Sequence, residues 1–319
     1  MVPVTLKLWS VDELCEHVFD RPLFLCDPLI PSGGIILVHG PSESGKTQLA
    51  MTLAKAILEG TPFLGQFPCR AGRVLLLEAD TPILAIQERL RKFPLEAPLR
   101  PNFVVLADES KSLNIINMSI SPSDDLLRAQ AFGPDMVIFD ALRDLHPLDE
   151  IDSRTPRTVY AACRKLFPTA SLVFIHHDRK KPTTGFRHAD EEASGSAAWR
   201  NASDTALHLE RHYNHEEPFV HYATLRSSKT RWSEKIPPIR IKMDDETLLV
   251  ATTELSAPQL VRAWTHEDPA IGEREIVDRL LEGKKCSRAT AYRLAKKAVS
   301  DRLKEAVSRG ETVSGRETS

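Results

Sequence analysis

The chain has 319 residues, 42% of them hydrophobic, with a formal net charge of −2. That suits one large domain with a small one, and it excludes nucleic-acid binding by overall charge, so any such surface must be local. The five cysteines (Cys15, Cys26, Cys69, Cys163 and Cys286) contain no C-x-x-C pair, which excludes a disulfide framework or zinc knuckle and points to a reducing interior.

Residues 1–32 read as a short lead-in with a helix over Val11–Phe19, and the acidic Asp12, Glu13 and Glu16 are unlike a signal peptide. From residue 33 strands and helices alternate. A strand over Ile35–His39 leads into Gly40-Pro41-Ser42-Glu43-Ser44-Gly45-Lys46-Thr47, a complete G-x-x-x-x-G-K-T phosphate loop. The following segment has helical spacing (Leu49, Leu53, Ile57 beside Ala50, Ala54, Leu58) and stops at Gly60 with Pro62 beyond. Such a loop curls its N–H groups around phosphate oxygens at a positive helix end. Residues 40–48, Gln48 included, are thus expected to cradle ATP. Lys46 is expected on the β/γ-phosphates, and the Thr47 hydroxyl on Mg²⁺.

The next strand, Arg73–Glu78, ends in a carboxylate facing the same crevice, where a base would orient water. Glu78 is the candidate and Asp80 its competitor. A helix over Pro82–Phe93, a strand over Phe103–Ala107 and a helix near Asp124–Ala131 follow. The strand Asp135–Asp140 then puts Asp140 beside the Mg²⁺ ligand Thr47. A helix near Pro156–Phe167 leads to the strand Ser171–His177. By alternation only one of His176 and His177 faces the crevice; His177 is favoured as a sensor of the γ-phosphate. The loop 178–193, which starts basic and holds Gly185, Arg187 and His188, suits single-stranded DNA. These strands are continuous apolar runs, as expected of a mostly parallel sheet covered on both faces.

After residue 203 short strands over Thr205–Glu210, Phe219–Leu225, Ile239–Met243 and Leu248–Thr252 suggest an antiparallel extension. His208, His212, His215 and His221 lack cysteine or an H-E-x-x-H pattern and read as hairpin surface rather than zinc ligands. Lys229 and Arg231, two apart on an extended tip, point the same way and are candidate charge-stabilising fingers for a neighbouring subunit's nucleotide, with Arg200 a second candidate. Ser256–Pro269, with a short helix at Gln259–Trp264, is a boundary. It divides an ATPase domain over 1–255 from a C-terminal unit over 269–319. There Glu275–Leu281 and Arg288–Val299, the latter capped by Ser287, read as a helix-turn-helix. Residues 284–304 carry eight Lys and Arg against Asp301, a net +7, suited to duplex DNA. No apolar run approaches the about 20 residues of a membrane span, so the expected location is the cytoplasm.

Taken together, the phosphate loop, Gly33-Gly34, Thr61-Pro62-Phe63-Leu64-Gly65, Gly72–Glu78, Phe139–His146 and His176–Lys180 make residues 25–250 resemble a RecA-fold ATPase of the RepA/DnaB hexameric helicase type. The resemblance implies an α/β RecA-like P-loop NTPase, ATP and Mg²⁺, and a homo-oligomer, a hexamer. It also implies Lys46, Thr47, Glu78, Asp140 and His177 as site residues. Lys229-x-Arg231 matches the trans-acting pair of DnaB- and KaiC-like relatives, and Gly195–Trp199 the stretch after the second DNA-binding loop. Asp204 stands where some RepA-type helicases place an arginine finger. A replicative helicase of plasmid or phage type is the leading expectation. The alternatives are a RadA-like recombination mediator, an ATP-switched DNA-binding regulator and a KaiC-like phosphotransfer switch.

Overall fold

The computed structural model describes residues 7–19, 23–150, 152–178, 194–212, 221–244, 246–253, 271–282 and 286–308, with isolated positions between 257 and 265. The short helix α1 (Val11–Glu16) opens on a capping box between Ser10 and Glu13, and none of its residues is buried. Strands β1 (Phe24–Cys26) and β2 (Ile30–Pro31) pair antiparallel, so the end of the lead-in forms a strand pair with Leu25, Cys26 and Ile30 buried, where no strand was expected.

Next come β3 (Ile35–Gly40), α2 (Lys46–Glu59), β4 (Val74–Glu78), α3 (Ile83–Lys92), β5 (Phe103–Ala107), α4 (Ile115–Met118), α5 (Asp124–Phe132), β6 (Met136–Asp140), α6 (Thr155–Leu166) and β7 (Ser171–His177). α2 stops where Gly60 turns left-handed and donates its N–H to the carbonyls of Ala56 and Ile57. Then follow α7 (Ser194–Ala202), β8 (Thr205–His212), β9 (Tyr222–Thr230), β10 (Ile239–Met243), β11 (Val250–Thr252), α8 (Glu273–Glu282) and α9 (Arg288–Ser308).

Among the described residues, nine strands form one sheet in the order β11-β10-β9-β8-β3-β7-β6-β4-β5. β3 to β8 are mutually parallel, and β9, β10 and β11 add antiparallel. The fold is therefore the expected α/β class with a mostly parallel sheet. One detail differs: β8 is not part of the antiparallel extension. It lies parallel to β3 because α7 carries the chain back to the starting edge before Thr205, the short crossover that parallel pairing requires.

Every residue of β4 and β6 is buried, because apolar layers cover both sheet faces. One layer packs Leu49, Leu53 and Ile57 of α2 against Val38, Leu76, Ile138 and Ile175. The other packs Val159, Cys163 and Leu166 of α6 and Trp199 of α7 against Leu37, Leu77, Phe139 and Phe174. A third cluster, separate from both, joins Ile276, Val277 and Leu280 of α8 to Ala291 and Ala295 of α9. α9 runs on to Ser308, past the expected end at Val299. Most of the loop 178–193, the turn at 283–285 and half of the expected Gln259–Trp264 helix lie outside the described residues, as does much of the boundary between 255 and 269. No described helix is long and apolar enough to cross a membrane.

Candidate active site

Strand parity assembles the site. On β4, β6 and β7 the residues Leu76, Ile138 and Ile175 face α2, so two positions on Glu78, Asp140 and His177 face it too. Glu78 pairs in register with Asp140, and His177 with Gly40. These C-terminal strand ends meet the N-terminus of α2, the crevice where open α/β sheets bind ligands.

The loop itself needs its glycines. Gly45 sits left-handed at φ 89°, and a Cβ there would meet Met243 Cε at 2.1 Å. A Cβ at Gly40 would lie 2.3 Å from the Leu209 carbonyl oxygen. Pro41, Ser42 and Glu43 form the exposed rim, Ser44 is buried, and Gln48 lies half-buried on the first turn of α2. Lys46 is 3% exposed. Its ammonium donates to the carbonyls of Gly40 (3.1 Å) and Pro41, and to Ser44 Oγ at 3.4 Å. Burial lowers its pKa to about 8, against the opposing pull of Asp178 and Asp140. An ammonium so buried and held by neutral oxygens is suited to an anionic oxygen in their place.

Thr47 donates its hydroxyl to Asp140 Oδ2 at 2.7 Å. Hydroxyl and carboxylate are hard oxygen donors of the kind Mg²⁺ selects, so this pair fits the ion. Burial raises the Asp140 pKa, while the Thr47 hydrogen bond, Arg89, His177 and Lys46 lower it.

Glu78 is 2% exposed. Burial, then the Asp140 charge, raises its pKa to about 7. It accepts from the Thr81 hydroxyl and, at 3.3 Å, from the Arg89 guanidinium of α3. Its competitor Asp80 is exposed and pairs with Lys111 at 3.5 Å. Of the two, Glu78 is the buried one, and the Asp80 charge acts on it from the exposed side. His177 is exposed there, and its pKa falls through burial and the Lys46 charge, against Asp140, Asp144 and Asp80. His176 points to the other face, 5% exposed, near Trp199, and burial lowers its pKa to about 4.

A phosphate loop, a hydroxyl–carboxylate pair and a buried carboxylate thus stand together at one strand-end crevice, and the sequence profile of the AAA domain family matches residues 3–183. The chain belongs to that family. It is a P-loop ATPase. No curated protein matches its sequence. Among solved structures it is similar to the flagellar accessory protein FlaH from Methanocaldococcus jannaschii, at 12% identity and a TM-score of 0.49, over 71% of this chain and 92% of that one. It is also similar to the KaiC-like protein PH0186 from Pyrococcus horikoshii OT3, at 10% identity and a TM-score of 0.47, over 72% and 94%. At such scores these likenesses add nothing to the fold already described.

Lys229 and Arg231, beyond the residues that the family profile matches, are not brought to the phosphate loop. Thr230 pairs with Thr205, which pairs with Ile36 at the start of β3, four residues before Gly40. Lys229 lies within β9 rather than on a tip, and donates to the carbonyls of Arg200, Asn201 and Ser203 at the end of α7. Arg231 pairs with Asp204 at 3.2 Å, and Asp204 also accepts the Ile35 N–H. Arg200 sits in the last turn of α7, at the same edge.

The sequence reading missed Arg89 and Thr81. Arg89 lies three residues after Ile86, the buried residue of α3, and that spacing is the signal that would have found it. It also missed what His208 meets on the β8–β9 hairpin: its ring lies 4.8 Å from that of His39, and its Nε2 is 3.4 Å from Asp178. Both partners are more than 29 residues away in the chain, beyond any local pattern.

Proposed function

We propose that this ATPase works as a homo-oligomer, a hexamer, that hydrolyses ATP to move along single-stranded DNA as a replicative helicase of plasmid or phage type. The observation that carries the reading is the placement of Lys229 and Arg231 at the sheet end away from their own phosphate loop. There a basic pair can serve a nucleotide only in another subunit, the logic of a trans finger. Lys46 and residues 40–48 bind the phosphates. Thr47 and Asp140 hold Mg²⁺, which when bound neutralises phosphate charge. Glu78 takes a proton from the attacking water; a carboxylate with a pKa of about 7 is well matched to that work near neutrality. His177 contacts the γ-phosphate and is continuous with the DNA-binding loop 178–193. The exposed Arg288, Arg293, Lys296 and Lys297 on α9 support a helix-turn-helix that contacts duplex DNA.

A second reading is favoured by the Lys229 ammonium, already engaged by three carbonyls. In it the chain is an ATP-switched DNA-binding regulator with slow turnover. Forked duplexes with 5′ or 3′ tails, assayed beside ATPase with and without single strands, separate the two. Unwinding with one tail polarity supports the helicase. Single-strand-stimulated ATPase without unwinding moves the reading to a recombination mediator, and neither activity moves it to the regulator. The trans role is tested by mixing Arg231→Ala with Lys46→Ala subunits. Recovery of ATPase at intermediate ratios supports it, and no recovery in demonstrated mixed oligomers sinks it.

A further inference from the structure

On the sheet face opposite α2, three neighbouring strands bring His39 of β3, His208 of β8 and Asp178, just past β7, into one cluster. His39 and His208 are register partners. Their nearest ligand atoms and those of Asp178 all lie within 4.8 Å of one another. His39 Nδ1 is 3.1 Å from Asp178 Oδ1, and His208 Nε2 is 3.4 Å from Asp178 Oδ2. None of the three has a role in the phosphate chemistry set out above.

The hydrogen bonds around His39 fix what it offers. A β-bulge between Ala206 and Leu207 leaves Ser228 out of the ladder and turns it toward the cluster. The Ser228 hydroxyl donates to the Ala206 carbonyl at 3.1 Å. A hydroxyl has one hydrogen, so its oxygen accepts from His39 Nε2, also 3.1 Å away. A neutral His39 then turns the lone pair of Nδ1 toward a carboxylate oxygen. That contact is repulsive unless something positive lies between the two atoms.

The geometry points to a divalent transition-metal site of the zinc class, with His39 Nδ1, His208 Nε2 and Asp178 as its three protein ligands. Two donors on a tetrahedral ion at about 2.1 Å stand about 3.4 Å apart, and Asp178 Oδ2 lies 3.4 Å from both His39 Nδ1 and His208 Nε2. Imidazole nitrogens select Zn²⁺ or Co²⁺ over Mg²⁺, so the site is chemically distinct from Thr47 and Asp140. The Ser228 contact is the outer-shell partner that commonly orients a ligating histidine. Asp178 and His208 are about a quarter exposed, which gives an ion a way in and leaves a fourth position to water. The site also adjoins the phosphate loop: the Asp178 N–H donates to the Gly40 carbonyl at 3.0 Å, the same oxygen that Lys46 holds. An ion there ties together the three strands beneath the loop.

The test uses the full chain, tag-free and stripped with a chelator, titrated with Co²⁺ and followed by visible absorption. We expect one equivalent per chain with the strong ligand-field bands of a tetrahedral site, bleached by Zn²⁺ but not by excess Mg²⁺. His208→Ala should weaken binding by more than about 100-fold, and Ser228→Ala by about 10-fold, the usual loss for an outer-shell partner. His212→Ala, whose ring bonds Thr224 instead, should titrate as the wild type. Circular dichroism reports whether each variant folds, and His208→Gln, which keeps the bulk, replaces the alanine variant if that one does not. Absence of tetrahedral bands in the wild type overturns the site. So does wild-type affinity in a folded His208 variant; the cluster would then be bridged by a proton alone.

Discussion

The buried Glu78 makes a sharp prediction about stability. Burial beside Asp140 raises its pKa from the ordinary 4.5 to about 7. Between those values the native chain binds more protons than the unfolded one, so stability falls as pH rises through the window. At about 1.4 kcal/mol per pH unit, Glu78 ionisation costs the native state about 3 kcal/mol by pH 8, and most of that loss accrues above pH 5. Glu78→Gln removes the ionisation. The Thr81 and Arg89 contacts favour the charged carboxylate, and the pKa of about 7 already includes them. The expected result is a variant whose Tm, relative to wild type, is higher at pH 8 than at pH 5 by about 5 °C, taking about 2 °C per kcal/mol for a chain of this size. Thermal scans of both proteins at the two pH values, without nucleotide, make the measurement. A difference that does not change with pH would refute the buried, charge-repelled Glu78 described here.

Three further outcomes are expected. Lys46→Ala should abolish hydrolysis and weaken nucleotide binding, read by ATPase and by titration with a fluorescent nucleotide; hydrolysis near the wild-type rate would remove Lys46 from the site. Gly40→Ala should lower stability by about 2 kcal/mol or more, since its Cβ would meet the Leu209 carbonyl oxygen at 2.3 Å and a backbone atom cannot step aside; an unchanged melting curve would contradict that packing. Truncation after residue 268 should keep basal ATPase and lose a duplex-DNA affinity that, in the full chain, falls steeply with salt; filter binding across a salt series checks it, and a truncated chain that binds duplex like the full one refutes a DNA-binding role for the tail.

The sequence by itself determined whatever depends on local spacing. The phosphate loop is a contiguous run, and strand parity is fixed two residues at a time, so Lys46 and Thr47 were legible directly. The facing of Glu78, Asp140 and His177 toward α2 followed from the apolar residues just before them. The tertiary structure decided what depends on which strand lies beside which. Parallel insertion of β8 next to β3 is a choice between edges that periodicity does not encode, because a parallel and an antiparallel strand share the same two-residue alternation. That one choice set His208 against His39, put Lys229 under the carbonyls of α7, and carried Arg231 to Asp204 at the far end of the sheet. Arg89 reached Glu78 for the same reason: the contact depends on how α3 packs across β4, and side chains eleven residues apart meet only once that packing exists.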